Sequence, residues 1–488
     1  VTCPYDGWLT VSAGVRTAVG RRCGAPPRPE PRGAGAAVPH FDRLRAAAAG
    51  AGALGEALRR AGRCRTAVGP GAALALADHR GTVDRYAPDP AALPAADWAR
   101  CPVLAVDVDD LIRPYLATGR LPEEAEPLSA AQRRAAARRA DAVVGAVLAA
   151  VGGDATVLVA GLSDHGPVPH LRAAMQAAPR AGRGWLGARS TRRADIAILP
   201  DLTATLLARA GVPAPAGLVG AELRATGTPP QDTAAAVAAL ARADVAGQTV
   251  RNLSGLFFSA LAVLQVAFYA AAFLLLRRRR GLAGIRAAAL WLAALPVSTY
   301  LVGLLPWERA AAPALALVGG VAGIAALLAA TALAGPWRRT VLGPATVVAA
   351  VTAAVLVGDL LTGTDLQLNS VMGYTAVVGA RYYGLGNIPF ALTAGAVLLV
   401  TTAAADGLVR AGRRRAAVLL VAALGGGAML LACWPGIGSD FGWVIAFVPG
   451  VAVTALLVAG RRVSAVKLGA YCAAGGALVM TIAFLDRL

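Results

Sequence analysis

The sequence predicts an α/β domain with a mostly parallel sheet, followed by an all-α bundle of about eight transmembrane helices. Three observations carry that prediction. Hydrophobic residues make up 57% of the 488-residue chain, and a mean hydropathy of +0.59 is too high for a purely soluble protein. The apolar residues are unevenly spread: the first half is rich in Pro, Gly, Arg and Asp, whereas from about residue 254 apolar blocks alternate with short basic or Gly/Pro-rich breaks. Within the first half, short apolar runs alternate with Ala-rich helical stretches, the pattern of strand–helix–strand units.

In chain order, "TAVGPGAALALA" (66–77) reads as a strand and a turn, and "PVLAVDVDDL" (102–111) as a buried strand ending in carboxylates. Residues 129–151 form a helix capped by Ser129. "TVLVAGLSDHGPVPH" (156–170) then reads as a buried parallel strand that stops at Ser163-Asp164-His165-Gly166. Ligands of open α/β sheets bind at that edge, and Asp164 and His165 are both good ligands for a divalent metal. "DLTATLLARAGVPAP" (201–215) is a capped helix stopped by Gly211 and Pro213. The domain is expected over 1–227, with an Ala-rich connecting helix over 228–253. Cys3, Cys23, Cys64 and Cys101 allow one or two disulfides in three connectivities in an oxidising compartment, and their spacing is unlike a zinc knuckle. Cys433 and Cys472 read as packing residues.

The transmembrane domain is expected over 254–488, with spans near 254–276, 284–305, 312–335, 340–361, 386–405, 415–434, 441–460 and 464–485. Basic clusters at 277–281, 336–340, 410–415 and 460–467 occupy every second loop, which assigns those loops to the cytoplasm. The N-terminal domain and both chain ends then lie outside a bacterial plasma membrane, with the lipid bilayer as partner. The formal charge of +19 invites a nucleic-acid reading, but Lys467 is the only lysine and aromatics are 5%. Basic residues without stacking rings do not make a single-strand binder, and the loop arginines are explained by the membrane. Two outward segments, 358–391 and 434–443, bring Asp359, Arg381, Tyr382, Tyr383, Asn387 and Asp440 into consideration as an outer-face site. The bland reading is an interfacial loop with aromatic anchors and one Asp–Arg pair.

Three segments resemble the alkaline-phosphatase superfamily, in particular its nucleotide pyrophosphatase/phosphodiesterase branch. "VTCPYDGWLTVSAG" (1–14) is similar to the nucleophile segment, "VLVAGLSDHG" to a strand followed by metal-binding Asp and His, and "STRRADIAILPDLTATLLARAGVPAP" (190–215) to the closing segment. The resemblance covers most of residues 1–225 and implies that Thr2 is a nucleophile, with Asp164 and His165 binding one zinc-like divalent metal. Asp110 is the candidate ligand from the carboxylates at 107–110. The family's middle Asp-x-x-x-His pair lacks its histidine here, since "LIRPYLATG" follows, and a further metal-binding strand would precede Val1. The α/β domain is therefore alkaline-phosphatase-like but incomplete. The start at Val1 implies either a removed leader or a misplaced gene start, with one more N-terminal helix in the full-length protein. "ARYYGLGN" and "GIGSDFG" resemble signature loops of an uncharacterised bacterial membrane family with this layout. Two functions are expected to compete. One is a metal-dependent phosphoesterase or phosphotransferase acting on a phosphate-containing envelope lipid or glycan. The other is a non-catalytic membrane protein whose phosphatase-like domain binds or scaffolds. A transporter is disfavoured by the scarcity of charges in the spans.

Overall fold

The computed structural model describes residues 2–20, 24–116, 128–179, 182–278, 281–379, 381–434, 436–438 and 441–485. The chain forms two compact units, Val1–Leu240 and Ala241–Leu488.

In the first unit, helix α1 (Pro4–Ala13) is followed by strands β1 (Glu30–Arg32) and β2 (Gly35–Ala37) and helices α2 (Phe41–Ala47) and α3 (Ala53–Arg60). Next come β3 (Arg65–Val68), α4 (Pro70–Leu76), β4 (Thr82–Val83), β5 (Arg85–Ala87) and β6 (Val103–Val106). Helix α5 (Ala130–Val151), strands β7 (Val157–Ala160), β8 (Ala174–Ala177) and β9 (Trp185–Gly187), helix α6 (Leu199–Arg209) and β10 (Arg224–Thr226) complete it. Among the described residues of this unit, the strands that pair in parallel are in the order β5–β3–β6, in which Thr66 faces Arg85 on one side and Leu104 on the other. The other pairs, β1–β2, β2–β4, β7–β8 and β9–β10, are antiparallel.

The expected mostly parallel sheet is thus corrected to three parallel strands among the described residues. The expected buried parallel strand at 156–160 is a half-buried strand paired antiparallel with β8, Val157 opposite Ala177. An apolar run of four residues has no period that separates the two kinds of pairing. The stretch 66–77 also divides differently: β3 ends at Val68, Gly69 turns at φ +86°, and Pro70 starts α4. Proline is preorganised for a first helical position. Every residue of α4 after Pro70 is buried, which explains why its sequence shows no amphipathic stripe.

The core of this unit surrounds α4. Leu9, Leu54, Leu58, Leu74, Leu76 and Leu207 are fully buried and belong to one cluster, each side chain contributing about 1.5–3 kcal/mol by burial. Close backbone approach tightens it: a β-carbon at Gly7 would collide with the Leu162 carbonyl, and one at Gly71 with the Trp8 indole. Helix α5 begins as the sequence predicts, with Ser129 Oγ accepting from the Gln132 amide at 3.2 Å and Gln132 Oε1 from the Ser129 amide at 3.0 Å, a reciprocal capping box. Of the possible disulfides, the structure forms Cys64–Cys101, spanning 37 residues between the starts of the paired strands β3 and β6.

The second unit is helical. Helix α7 (Thr233–Arg277) has 45 residues. Then follow α8 (Leu282–Leu301), α9 (Pro313–Ala334), α10 (Gly343–Thr362), α11 (Asn387–Arg410), α12 (Arg414–Cys433), α13 (Phe441–Val458) and α14 (Ala465–Leu485). Six of them, α7 to α12, are long and apolar enough to cross a membrane, which fits a multi-pass membrane protein. The expected eight spans are thereby corrected to six among the described residues. Helix α13, with 18 residues, lies at the short end of what crosses a bilayer. The connecting helix expected over 228–253 and the span expected from 254 are one continuous helix, because no Gly-Pro break separates them and Arg251-Asn252-Leu253 is compatible with helix.

Small residues bring the apolar helices together. Ala294 of α8 and Ala325 and Ala332 of α9 are fully buried in one cluster with Leu290, Leu317 and Val321. On α12, a β-carbon at Gly425 would lie 2.6 Å from Val451 Cγ1 of α13. Such positions let helix backbones approach where lipid offers no hydrophobic driving force.

Candidate functional site

Two places hold the residues singled out by the sequence. The first lies where the start of α1 meets the end of β7. Thr2 immediately precedes Cys3, the extended N-cap residue of α1. Asp164 and Thr2 are joined twice: the Asp164 amide donates to the Thr2 carbonyl at 2.7 Å, and the Thr2 amide donates to Asp164 Oδ2 at 3.0 Å. These residues stand 162 positions apart in the chain, and Gly7 makes the meeting possible by admitting the Leu162 carbonyl against α1. The structure therefore brings the expected nucleophile and the expected ligand together.

The rest of the Asp164 carboxylate is taken. Its Oδ1 accepts from the His170 amide at 3.1 Å and from the Arg172 guanidinium at 2.6 Å. Arg172 sits just ahead of β8, so the β7–β8 pairing places it beside the acid. No sequence signal singled it out, because arginine is common throughout the chain. His165 packs its ring 4.7 Å from that of Tyr115. Burial, then the charges of Arg172 and Arg133, push its imidazole below the ordinary 6.5, which favours the neutral form. Asp110 is buried against two cations, Arg139 at 3.4 Å and Arg113 at 3.6 Å, and Asp109 pairs with Arg113 as well.

Asp107 is the carboxylate that the acidic run did not single out. Its Oδ2 accepts from the Gly71 amide at 2.9 Å, at the N-terminus of α4 where amides are free. Burial pushes its pKa up to about 6, against the opposing hydrogen bonds from Gly71 and Trp8. Asp107, His165 and Arg172 share a cavity of about 1030 Å³ whose walls include β6 and β7.

These donors do not fit a divalent metal. Among the described residues no three His, Cys, Asp or Glu side chains are placed to hold an ion. Asp164 faces a guanidinium and two amides, and Asp110 faces two guanidiniums. A dication there would meet positive charge where it needs free oxygens.

The second place is the 363–379 segment with its flanks. Asp359, buried near the end of α10, accepts from the Leu366 amide at 2.8 Å and from Gln367 Nε2 at 3.1 Å. Tyr300 donates to the Met372 carbonyl at 2.8 Å, Ser370 to the Thr299 carbonyl at 2.8 Å, and Tyr374 to Thr364 Oγ1 at 2.9 Å. Arg381 donates to the Leu385 carbonyl at 2.6 Å rather than to Asp359, so no Asp–Arg pair forms between them. The Tyr382 hydroxyl lies 3.0 Å from where a Gly379 β-carbon would be, and Asn387 begins α11 behind Gly386. Asp440 lies outside the described residues. Most of the described polar groups of this segment bond within it or to the adjoining α8 and α10, while Gln367 Oε1 and Asn369 Oδ1 are buried without a hydrogen-bond partner among the described residues.

Comparison of the chain with protein-family models, curated proteins and solved structures finds no match.

Proposed function

We propose that this multi-pass membrane protein carries an extracytoplasmic, phosphatase-like unit that binds rather than hydrolyses, in the envelope of a bacterium. The observation that carries the reading is the Arg172 guanidinium, 2.6 Å from Asp164. It neutralises the carboxylate through a charge-assisted hydrogen bond, in the place where the resemblance calls for a metal. The outward location is supported by the Cys64–Cys101 disulfide, which belongs to oxidising compartments, and by the alternation of basic loops. A phosphate-containing envelope lipid or glycan is the ligand class implied by the resemblance, and the Arg172 and Asp107 cavity is where the unit would receive it.

The second reading, a phosphoesterase with Thr2 as nucleophile, is favoured by the two hydrogen bonds that join Thr2 and Asp164, one backbone to backbone and one from the Thr2 amide to the Asp164 carboxylate. One experiment separates the two. The full chain, purified in detergent, is assayed for bound metal and for bis-(p-nitrophenyl) phosphate turnover, with Thr2→Ala and Asp164→Asn alongside. The binding reading expects no stoichiometric metal and no turnover that Thr2→Ala abolishes. Stoichiometric metal with Thr2-dependent turnover would overturn it. Location is tested by placing single cysteines in the 410–415 loop and labelling intact cells with an impermeant maleimide; labelling from outside reverses the assignment.

A further inference from the structure

We infer that the groove between α12, α13 and α14 is a binding site for one anionic phospholipid, with the phosphate at its arginine end and the acyl chains along its apolar walls. The inference rests on the membrane character of the second unit alone and is independent of what the first unit does.

The groove encloses about 910 Å³. One end carries Arg414 and Arg415, at the start of α12, and Arg461, just after α13. The two sides are held together there: the Arg414 guanidinium packs over Gly460, with Nη1 2.8 Å from where a β-carbon would stand. Toward the other end the walls are apolar, including Leu419, Ala422 and Met429 of α12 and Val448 and Ala452 of α13. From Arg414 to Met429 the helix rises roughly 22 Å at 1.5 Å per residue. That is enough to run alongside one leaflet, about 15 Å of a bilayer core about 30 Å thick.

Charge decides what occupies it. Neither 411–438 nor 441–485 contains an aspartate or glutamate. Among the described residues Arg414, Arg415 and Arg461 make no ion pair, while nearby Asp406 is already engaged by Arg410. Three guanidiniums beside the N-terminus of α12, whose free amides also favour anions, require a counter-ion from outside the protein. The apolar walls require that counter-ion to carry hydrocarbon. Arginine is suited to phosphate because its planar fork bonds two oxygens at once, and basic pockets between membrane helices take anionic headgroups. Tyr471, half exposed at the rim, has the amphipathic ring of a side chain at the headgroup level.

The groove also offers a variant that fills it without disturbing its walls. Gly426 lines the groove and a β-carbon there meets nothing within 4 Å, whereas Gly425 next to it abuts Val451. Gly426→Leu therefore occludes acyl space while leaving the α12–α13 contact intact.

The test is native mass spectrometry of the full chain released from nanodiscs of equal phosphatidylglycerol and phosphatidylcholine. Wild-type protein is expected to retain one phosphatidylglycerol in preference to phosphatidylcholine by roughly tenfold or more. Arg414→Ala with Arg461→Ala should bring the two lipids to near parity, and Gly426→Leu should lower retention of both at an unchanged thermal transition. Equal retention of the two lipids by wild-type protein overturns the proposal, as does a double arginine variant that behaves as wild type. Displacement of the lipid by millimolar inorganic phosphate would assign the arginines to a free anion instead, and overturns it too.

Discussion

Replacing Asp107 by Asn should stabilise the first unit at neutral and alkaline pH and make no difference in acid. The Asp107 carboxyl is half-buried at the end of β6, with the Gly71 amide and the Trp8 indole as its donors. Burial raises its pKa from 3.8 to about 6. The folded chain therefore holds this proton more tightly than the unfolded chain. Between about pH 4 and pH 6 the native state carries more protons, so stability falls as pH rises through that window and stays lowered above it. At 1.36 kcal/mol for each tenfold change in proton affinity, the ceiling is about 3 kcal/mol. Water entering the adjoining cavity screens part of it, which brings the expected difference to about 1–2 kcal/mol. Asn keeps an acceptor for Gly71 or Trp8 and carries no charge to desolvate. For a unit of this size the gain corresponds to roughly 2–8 °C at pH 8. The assay is thermal unfolding of the full chain in nanodiscs at pH 4, 6 and 8, with the first unit's transition identified by its fall when Cys64–Cys101 is reduced. Glu56, held down at about 2 chiefly by the hydrogen bond from Arg59, titrates mostly below this range, and the histidines cancel between variant and wild type. A difference that is flat from pH 4 to pH 8, or an Asn variant less stable at pH 8, would refute the reasoning.

Three further outcomes are expected. Arg65→Met should destabilise the first unit by about 3–5 kcal/mol, because the fully buried guanidinium bonds Asp84 at 2.8 Å and the carbonyls of Gly55 and Leu76 at 3.0 and 3.3 Å; a thermal shift worth under about 1 kcal/mol would contradict the buried network. Cys64→Ser with Cys101→Ser should cost about 3–4 kcal/mol, the loop-closure entropy of the bridged segment, and unchanged chemical denaturation would count against the bridge. Gly7→Ala should push α1 off the Leu162 carbonyl and loosen Thr2 from Asp164, seen as faster amide exchange at Asp164 while the amides of α4 keep their protection.

What could be read from the sequence depended on whether the signal was local. Ser129 and Gln132 announce their capping box within four residues, and the structure forms it. The apolar blocks of the second half became helices because length and hydropathy are local properties. Strand pairing is not local: "VLVA" at 157–160 reads alike whether its neighbour runs parallel or antiparallel, and the partner, Ala174–Ala177, is itself short and unremarkable in sequence. In α4 a Gly-Pro pair that commonly marks a turn instead opened a helix whose burial on all sides removes any period. At the candidate site, Asp164 and Thr2 were singled out by a resemblance spread over three segments. Arg172 was not, since its role comes from hairpin geometry and its residue type is ubiquitous here. Cys64–Cys101 was one of several permitted pairings, and spacing carries no connectivity.

The inward-turned polar groups of the 363–379 segment bear on how this protein tolerates change. A connection between helices ordinarily absorbs substitutions and insertions more readily than the elements it joins. Here Gln367 and Ser370 are buried, Asp359 holds the backbone at Leu366, and Thr364 and Asn369 adopt left-handed φ of 67° and 55°. Variants in this stretch should therefore fare like variants in a core, while much of the lipid-facing surface of α7, with Leu256, Val263 and Val266 exposed, should accept any apolar exchange. In a saturation-mutagenesis map of the second unit, the intolerant positions would gather in a loop and the permissive ones along a helix.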